Sequence, residues 1–144
     1  MLYGLGNVPV VVEDLDTDAT NIGLTKQNLQ TDVELRLRQS GVKVGPNRDF
    51  VYLYLSVIVM KGPGDVYAIG LDLELNQPVT LVRDPKIDPG LAPTWSLSRL
   101  SLVNRTQVRG YAHQSVRDLV DQFLNAYLEQ NPKLRPAEGS RKQP

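Results

Sequence analysis

Hydrophobic residues recur at every second position along two neighbouring segments in the middle of the chain. In residues 50–60 one alternate set is aliphatic throughout, namely Val51, Leu53, Leu55, Val57 and Val59. In residues 66–83 the matching set is Tyr67, Ile69, Leu71, Leu73 and Leu75, with Gly70, Asp72 and Glu74 opposite. A period of two is typical of strands that bury one face. Because a glycine- and proline-rich turn separates the two segments, the pattern predicts a β-hairpin.

A four-residue spacing of apolar positions predicts a helix over residues 26–40. Thr25 is suited to cap its start, and Gly41 stands where a left-handed C-terminal cap is expected. The inward face is predicted to comprise Leu29, Val33 and Leu37, and the mostly outward positions Asp32, Arg36 and Gln39.

A longer helix is predicted near the end of the chain. Asn104 and Gln107 resemble a capping box that opens it, and Pro132 closes it. Its apolar face comprises Val108, Ala112, Val116, Leu119, Val120, Phe123 and Tyr127.

Three other segments are predicted strands, and together with the helices they define the fold class. Residues 8–15 are apolar on both faces, which favours a strand that is covered on both sides or central in the sheet. Residues 42–45 predict a short strand and residues 94–103 a further strand, whereas the proline-rich residues 84–93 predict a rigid loop. We therefore expect an α+β fold. It is a two-layer sandwich, with two helices on one face of an antiparallel (mixed) sheet of four to five strands.

Composition limits the function classes. The 144 residues favour one domain over residues 1–132, and the basic residues 133–144 predict a disordered tail. The 16 acidic and 16 basic residues balance, so we expect no nucleic-acid partner. The absence of cysteine excludes disulfides and thiolate chemistry. No stretch is apolar for long enough to form a membrane-spanning helix, and the first ten residues lack the pattern of a signal peptide.

The closely spaced acidic residues Asp14, Asp16 and Asp18 have the opening spacing of a calcium-binding loop. The rest of that motif is absent, because Ala19 and Thr25 occupy the positions that need glycine and a bidentate glutamate. We therefore favour a polar exit from a buried strand. A ligand- or calcium-binding module that uses these three aspartates is the alternative.

The chain has one histidine, His113, and a catalytic triad would require it to face Asp118 and a serine such as Ser101 or Ser115. Five residues along a helix separate His113 from Asp118, which places them on different sides of it. Ser115 has no strained turn or glycine pair around it to present its hydroxyl. We therefore expect His113 to be an exposed helical residue. We therefore expect a protein that is not an enzyme, with no catalytic residue and no cofactor.

One set of side chains favours a binding function. Tyr52, Tyr54, Ile58 and Met60 alternate on the strand face that is predicted to lie opposite the helices. Tyrosine and methionine are enriched at protein interfaces, so this face predicts a contact surface for an unknown protein partner or a second copy. Sheet-edge pairing with another copy is a second route. Two alternatives stay open: a loop or the N-terminal segment covers these residues, or they line a half-polar face beside Asp72 and Glu74.

Residues 12–44, the strand at 50–60, the pair at 94–95 and residues 116–132 resemble a group of small exported bacterial proteins without an assigned function. The strand-helix-strands-helix order is similar to that of envelope lipoprotein domains of the LptE type and of the N-terminal domain of TolB. The resemblance implies a periplasmic or cell-envelope protein that acts through protein–protein contacts. It brings no catalytic residue with it, and the chain lacks a lipobox cysteine.

Overall fold

The computed structural model describes residue 2 and residues 4–132, which form a four-stranded mixed sheet with three helices. The elements in chain order are β1 (Val10–Val12), α1 (Thr17–Asn21), α2 (Lys26–Gln39), β2 (Tyr52–Lys61), β3 (Val66–Val79), β4 (Gly90–Asn104) and α3 (Arg105–Gln130). The strand order is β1-β2-β3-β4, with β1 parallel to β2 and the other neighbours antiparallel. The predicted α+β fold class is therefore confirmed.

The β2–β3 hairpin has the register that the alternation requires. Leu53 lies opposite Leu75 and Val59 opposite Ile69, so the aliphatic sets of both strands point to one face. All of these side chains are buried in a single apolar cluster with the inward faces of α2 and α3. The helices therefore cover one face of the sheet, which we call the inner face, and leave the other as the outer face.

Polar contacts hold α2 against α3. The guanidinium of Arg36 donates to both carboxylate oxygens of Asp121, at 2.6 and 2.7 Å, and His113 Nδ1 is hydrogen-bonded to Asp32. The prediction that Asp32 points mostly outward is wrong, since only 21% of its side chain is exposed. Helix spacing alone does not reveal that a second helix packs along that side. Gln39 is exposed as predicted, and Arg36 is 38% exposed while it contacts α3.

The ends of the helices agree only in part with the predicted caps. Thr25 Oγ1 accepts a hydrogen bond from the backbone of Asn28 at 3.1 Å, and Gly41 has a φ of +85°, as its role after the helix requires. Asn104 is the N-cap of α3, but its side chain makes no capping hydrogen bond. The predicted capping box is therefore wrong.

Three strand predictions need correction. β1 is an edge strand and not a central or doubly covered one, since Val11 is exposed while Val10 and Val12 are buried. Residues 42–45 form no strand, although Lys43 accepts a backbone hydrogen bond from Val8. β4 begins at residue 90, so part of the predicted proline-rich loop is strand. A valine run favours a strand but does not show where in the sheet it lies.

The predicted tail, residues 133–144, lies outside the described residues. Within residues 4–132, no helix combines the length and the apolar character needed to cross a membrane.

We predict that Leu73→Ala lowers the free energy of unfolding by about 2–5 kcal/mol, because Leu73 is fully buried on the inner face. The matched change Met60→Ala, on the outer face of β2, should cost less than about 1 kcal/mol. Urea denaturation followed by circular dichroism measures both. Equal losses would contradict the assignment of the two faces.

Candidate functional site

The outer face of the sheet has an apolar half at the end where β2 finishes and β3 begins. We use this name for Ile58, Met60, Ala68, Leu100 and Leu102. Two cross-strand rows build it, in which Ile58 and Leu100 flank Gly70, and Met60 and Leu102 flank Ala68. The four large side chains are 49%, 63%, 80% and 76% exposed for Ile58, Met60, Leu100 and Leu102 respectively.

The small residues of β3 shape the apolar half. Because Gly70 and Ala68 lie in the middle strand, they leave a depression between the aliphatic side chains of β2 and those of β4. A methyl group added at Gly70 would meet Leu100 Cδ1 at 3.9 Å, so the leucine side chain lies beside this depression. The apolar half is thus a shallow trough across three strands.

A cavity of about 430 Å³ continues the trough around the end of β4. It is lined by Val66, Leu102, Val103, Asn104, Gln107 and Tyr111. Apolar surface therefore extends from the sheet towards the start of α3.

The other half of the outer face is acidic. The acidic half comprises Tyr52, Tyr54, Ser56, Asp72 and Glu74, with Glu13 next to it after β1. Its polar atoms are bonded to each other, since Ser56 Oγ donates to Glu13 Oε2 at 2.7 Å and Ser98 donates to Asp72. Among the residues of the four strands, no lysine or arginine points to this face.

The pKa of Tyr54 is raised by its surroundings in the acidic half. Partial burial of the Tyr54 hydroxyl raises its pKa above the ordinary value, and the hydrogen bond to the Glu13 carboxylate raises it further. The charge of Glu74, opposite Tyr54 on β3, acts in the same direction. Tyr54 is therefore a neutral hydrogen-bond donor to an acidic surface throughout the physiological pH range.

The alternation placed all four predicted contact residues on the outer face, but the structure divides them. Ile58 and Met60 belong to the exposed trough, whereas Tyr52 and Tyr54 lie half-buried in the acidic half. Leu100 and Leu102, the most exposed members of the trough, were not predicted from the sequence. The signal was available in the alternation of β4.

The aspartates that follow β1 contact the edge of β2. Asp16 Oδ1 accepts the backbone N–H of Ala19 at 2.7 Å, which caps α1, and Asp16 Oδ2 accepts that of Val59 at 3.1 Å. Asp18 Oδ2 accepts the N–H of Lys61 at 3.1 Å. The two-residue spacing of the carboxylates matches the two-residue spacing of the β2 amides that they bind.

Asp14 has a different environment. Its carboxylate forms an exposed ion pair with Lys26 at 2.9 Å. Within residues 4–132, no three histidine or acidic side chains are arranged to share a metal ion. Calcium binding by Asp14, Asp16 and Asp18 stays a prediction, and the structure gives each of these carboxylates a protein partner.

His113 lies between the helices beside Asp32, and only about a fifth of its side chain is exposed. The expectation that it is an exposed helical residue is therefore wrong. The serines considered as nucleophiles have other partners, since Ser115 accepts from Arg99 at 3.3 Å and Ser101 is bonded to Tyr111. These contacts join β4 to α3.

Comparison with known proteins gives only a distant likeness. No family model matches the chain, and no curated protein matches it. A minor lipoprotein from Acinetobacter baumannii is 12% identical with a TM-score of 0.48, covering 90% of this chain and 95% of that one. A dodecamer of a PelC variant from Paraburkholderia phytofirmans is 17% identical with a TM-score of 0.39, covering 92% and 88%. At these values neither likeness supports a function, and the resemblance to LptE and TolB stays a prediction.

We predict that Asp16→Ala lowers the free energy of unfolding by about 1–3 kcal/mol, because it removes a helix cap and leaves the Val59 amide without its acceptor. Asp14→Ala is the matched control and should cost less than about 1 kcal/mol, as an exposed ion pair does. Thermal denaturation with calcium and with a chelator measures both. A calcium-dependent rise in Tm that either variant abolishes would instead support the metal alternative.

We also predict a pH dependence at Tyr54. Because its folded-state pKa is raised above the unfolded value, its contribution to stability is fully present below the unfolded pKa and is lost as the pH rises through the folded pKa. Burial also raises the pKa of Tyr127, so ultraviolet titration of tyrosinate should show more than one high-pKa group. Tyr54→Phe should remove one of these groups, and Glu13→Gln should lower the pKa of that same group. An unchanged titration in Glu13→Gln would contradict the contribution of Glu13 to the raised pKa of Tyr54.

Proposed function

We propose that this protein is a non-enzymatic protein of the bacterial cell envelope that binds another protein through the outer face of its sheet. The observation that carries the proposal is the trough of exposed apolar side chains, Ile58, Met60, Leu100 and Leu102. Single exposed apolar residues are common on protein surfaces, but a contiguous group spanning neighbouring strands is typical of a contact site.

Burial of the trough supplies part of the free energy that binding needs. Full burial of one large aliphatic side chain contributes about 1.5–3 kcal/mol, and the trough holds several that are at least half exposed. Association costs at least about 4 kcal/mol in lost translational and rotational freedom. Burial of the trough therefore offsets the lower end of that cost, and contacts outside the trough must supply the remaining affinity.

The charge of the outer face selects the chemistry of the partner. Glu13, Asp72 and Glu74 adjoin the trough, and no basic side chain of the strands balances them there. Complementary charge speeds encounter and disfavours wrong partners. The partner that fits best presents an apolar stripe beside lysine or arginine residues.

Two further features support the remaining parts of the proposal. The envelope location is supported by the sequence resemblance to small exported bacterial proteins. The absence of enzymatic activity is supported by the positions of His113 and Ser115, which are engaged in contacts between α2, α3 and β4. Fractionation of the source cells tests the location directly.

We predict that Met60→Asp combined with Leu102→Asp weakens partner binding at least a hundredfold, because each change places a charge in the apolar half. Capture from the envelope fraction identifies the partner, and titration calorimetry with the purified partner gives Kd. Thermal denaturation should show a change in stability below about 1 kcal/mol, since both residues are exposed.

Two control variants separate the contributions of the two halves. Val82→Asp, in the exposed loop before β4, should leave Kd unchanged. Glu74→Gln should weaken binding severalfold and reduce its dependence on salt. A partner whose affinity is the same for the wild type and the Met60/Leu102 variant would overturn the proposed site.

A further inference from the structure

The outer edge of β4 carries backbone groups that no other described residue binds. β4 is the last strand of the sheet, and it pairs only with β3. The amide of Arg105 donates to the carbonyl of Asp65 at 2.8 Å, so these two residues form a hydrogen-bonded pair. Hydrogen-bonded and non-hydrogen-bonded pairs alternate along an antiparallel ladder. This one pair therefore determines which residues of β4 direct their backbone groups to β3. The residues whose backbone groups point away from β3 and stay unbound are therefore Ser96, Ser98, Leu100 and Leu102. The carbonyl of Asn104, the N-cap residue, belongs to the first turn of α3.

Proteins usually protect such an edge with proline, charged side chains or a bulge. β4 has two of these features near its start, since Pro93 lies there and the register shifts opposite Leu75 and Asn76. From residue 95 to residue 104 the strand has no proline and no lysine, and its one charged residue, Arg99, faces α3 and pairs with Asp118 at 3.3 Å. The second part of the edge is therefore unprotected where its leucines are most exposed.

We propose that two copies of this chain pair antiparallel along this part of β4, with a two-fold axis at Leu100. Each edge then supplies the hydrogen-bonding partners that the other lacks, and the two sheets become one continuous sheet. A strand that pairs with its own copy about a two-fold axis perpendicular to the sheet must run antiparallel to it, and the same residues are used on both sides. The pairing uses the strand edge, so it goes beyond the proposed partner site and either can fail alone.

Charge and side-chain pairing favour this register. An axis at Leu100 places the two Leu100 side chains opposite each other, and Arg99 opposite Ser101. An axis one residue earlier would place the two Arg99 side chains directly opposite, and like charges in that position are destabilising. The register centred on Leu100 also pairs the outward backbone groups of Ser98 with those of Leu102, and those of the two Leu100 residues with each other.

Replacement of one outward amide tests the pairing. Ser98→Pro removes the N–H of Ser98 and projects a ring from the edge, but leaves the ladder to β3 intact, and proline is tolerated at such positions. Ser98→Ala is the matched control, because both variants lose the hydroxyl that binds Asp72 and only the first loses the amide. Sedimentation equilibrium at concentrations up to about 100 µM should show a dimer for the wild type and Ser98→Ala. For Ser98→Pro the dimer should be at least tenfold weaker.

Disulfide trapping tests the register without relying on proline. The chain has no cysteine, so Leu100→Cys introduces a single thiol. Directly opposite residues of a hydrogen-bonded pair lie about 5.5 Å apart between Cα atoms, within disulfide range. Mild oxidation should therefore give a covalent dimer, whereas the exposed control Leu91→Cys should not. A monomeric wild type, or equal dimerisation of the two Ser98 variants, or equal crosslinking of the two cysteine variants, would overturn the proposal.

Discussion

Burial of only one face of the β2–β3 hairpin is the constraint on which the rest of the structure depends. The aliphatic set of β3, from Ile69 to Leu75, is fully covered by the helices, and β2 supplies the facing set in register. Since successive side chains of a strand point to opposite faces, this burial leaves every other residue of both strands outside. Burial of the inner face therefore creates the outer face. Packing of the core does not constrain which side chains the outer face carries.

The two edges of the sheet differ in how their backbone groups are bonded. Beyond the short β1, the edge of β2 is closed by carboxylates, because Asp16 and Asp18 accept the amides of Val59 and Lys61. A side-chain acceptor in place of a strand satisfies the amides and ends the sheet there. At the opposite side β4 is long, and its edge has no such closure among the described residues. The sheet thus ends in a three-residue strand at β1 and in a long, open edge at β4.

The parts of the fold that follow from periodicity could be predicted, and those that follow from long-range contacts could not. The alternation at Leu71 and Leu73 determined both the hairpin and its buried face, and Thr25 and Gly41 marked the ends of α2 through local chemistry. The edge position of β1 and the Asp32–His113 contact depend on which elements meet, which no local pattern contains. For the site, the same alternation revealed Ile58 and Met60. Leu100 and Leu102 were missed because neither alternate set of β4 was assigned to a face of the sheet.

Leu100 and Leu102 belong at once to the apolar half and to the open edge, and this links the two surfaces physically. If two copies join along β4, their troughs meet across the two-fold axis and form one apolar surface of doubled width, with an acidic half at each end. A surface of that kind presents two equivalent sites at a fixed distance. A partner that carries two copies of a basic and apolar segment would bind the second site at a high effective concentration once the first site is occupied. Dimerisation would then strengthen partner binding without any new contact in either trough.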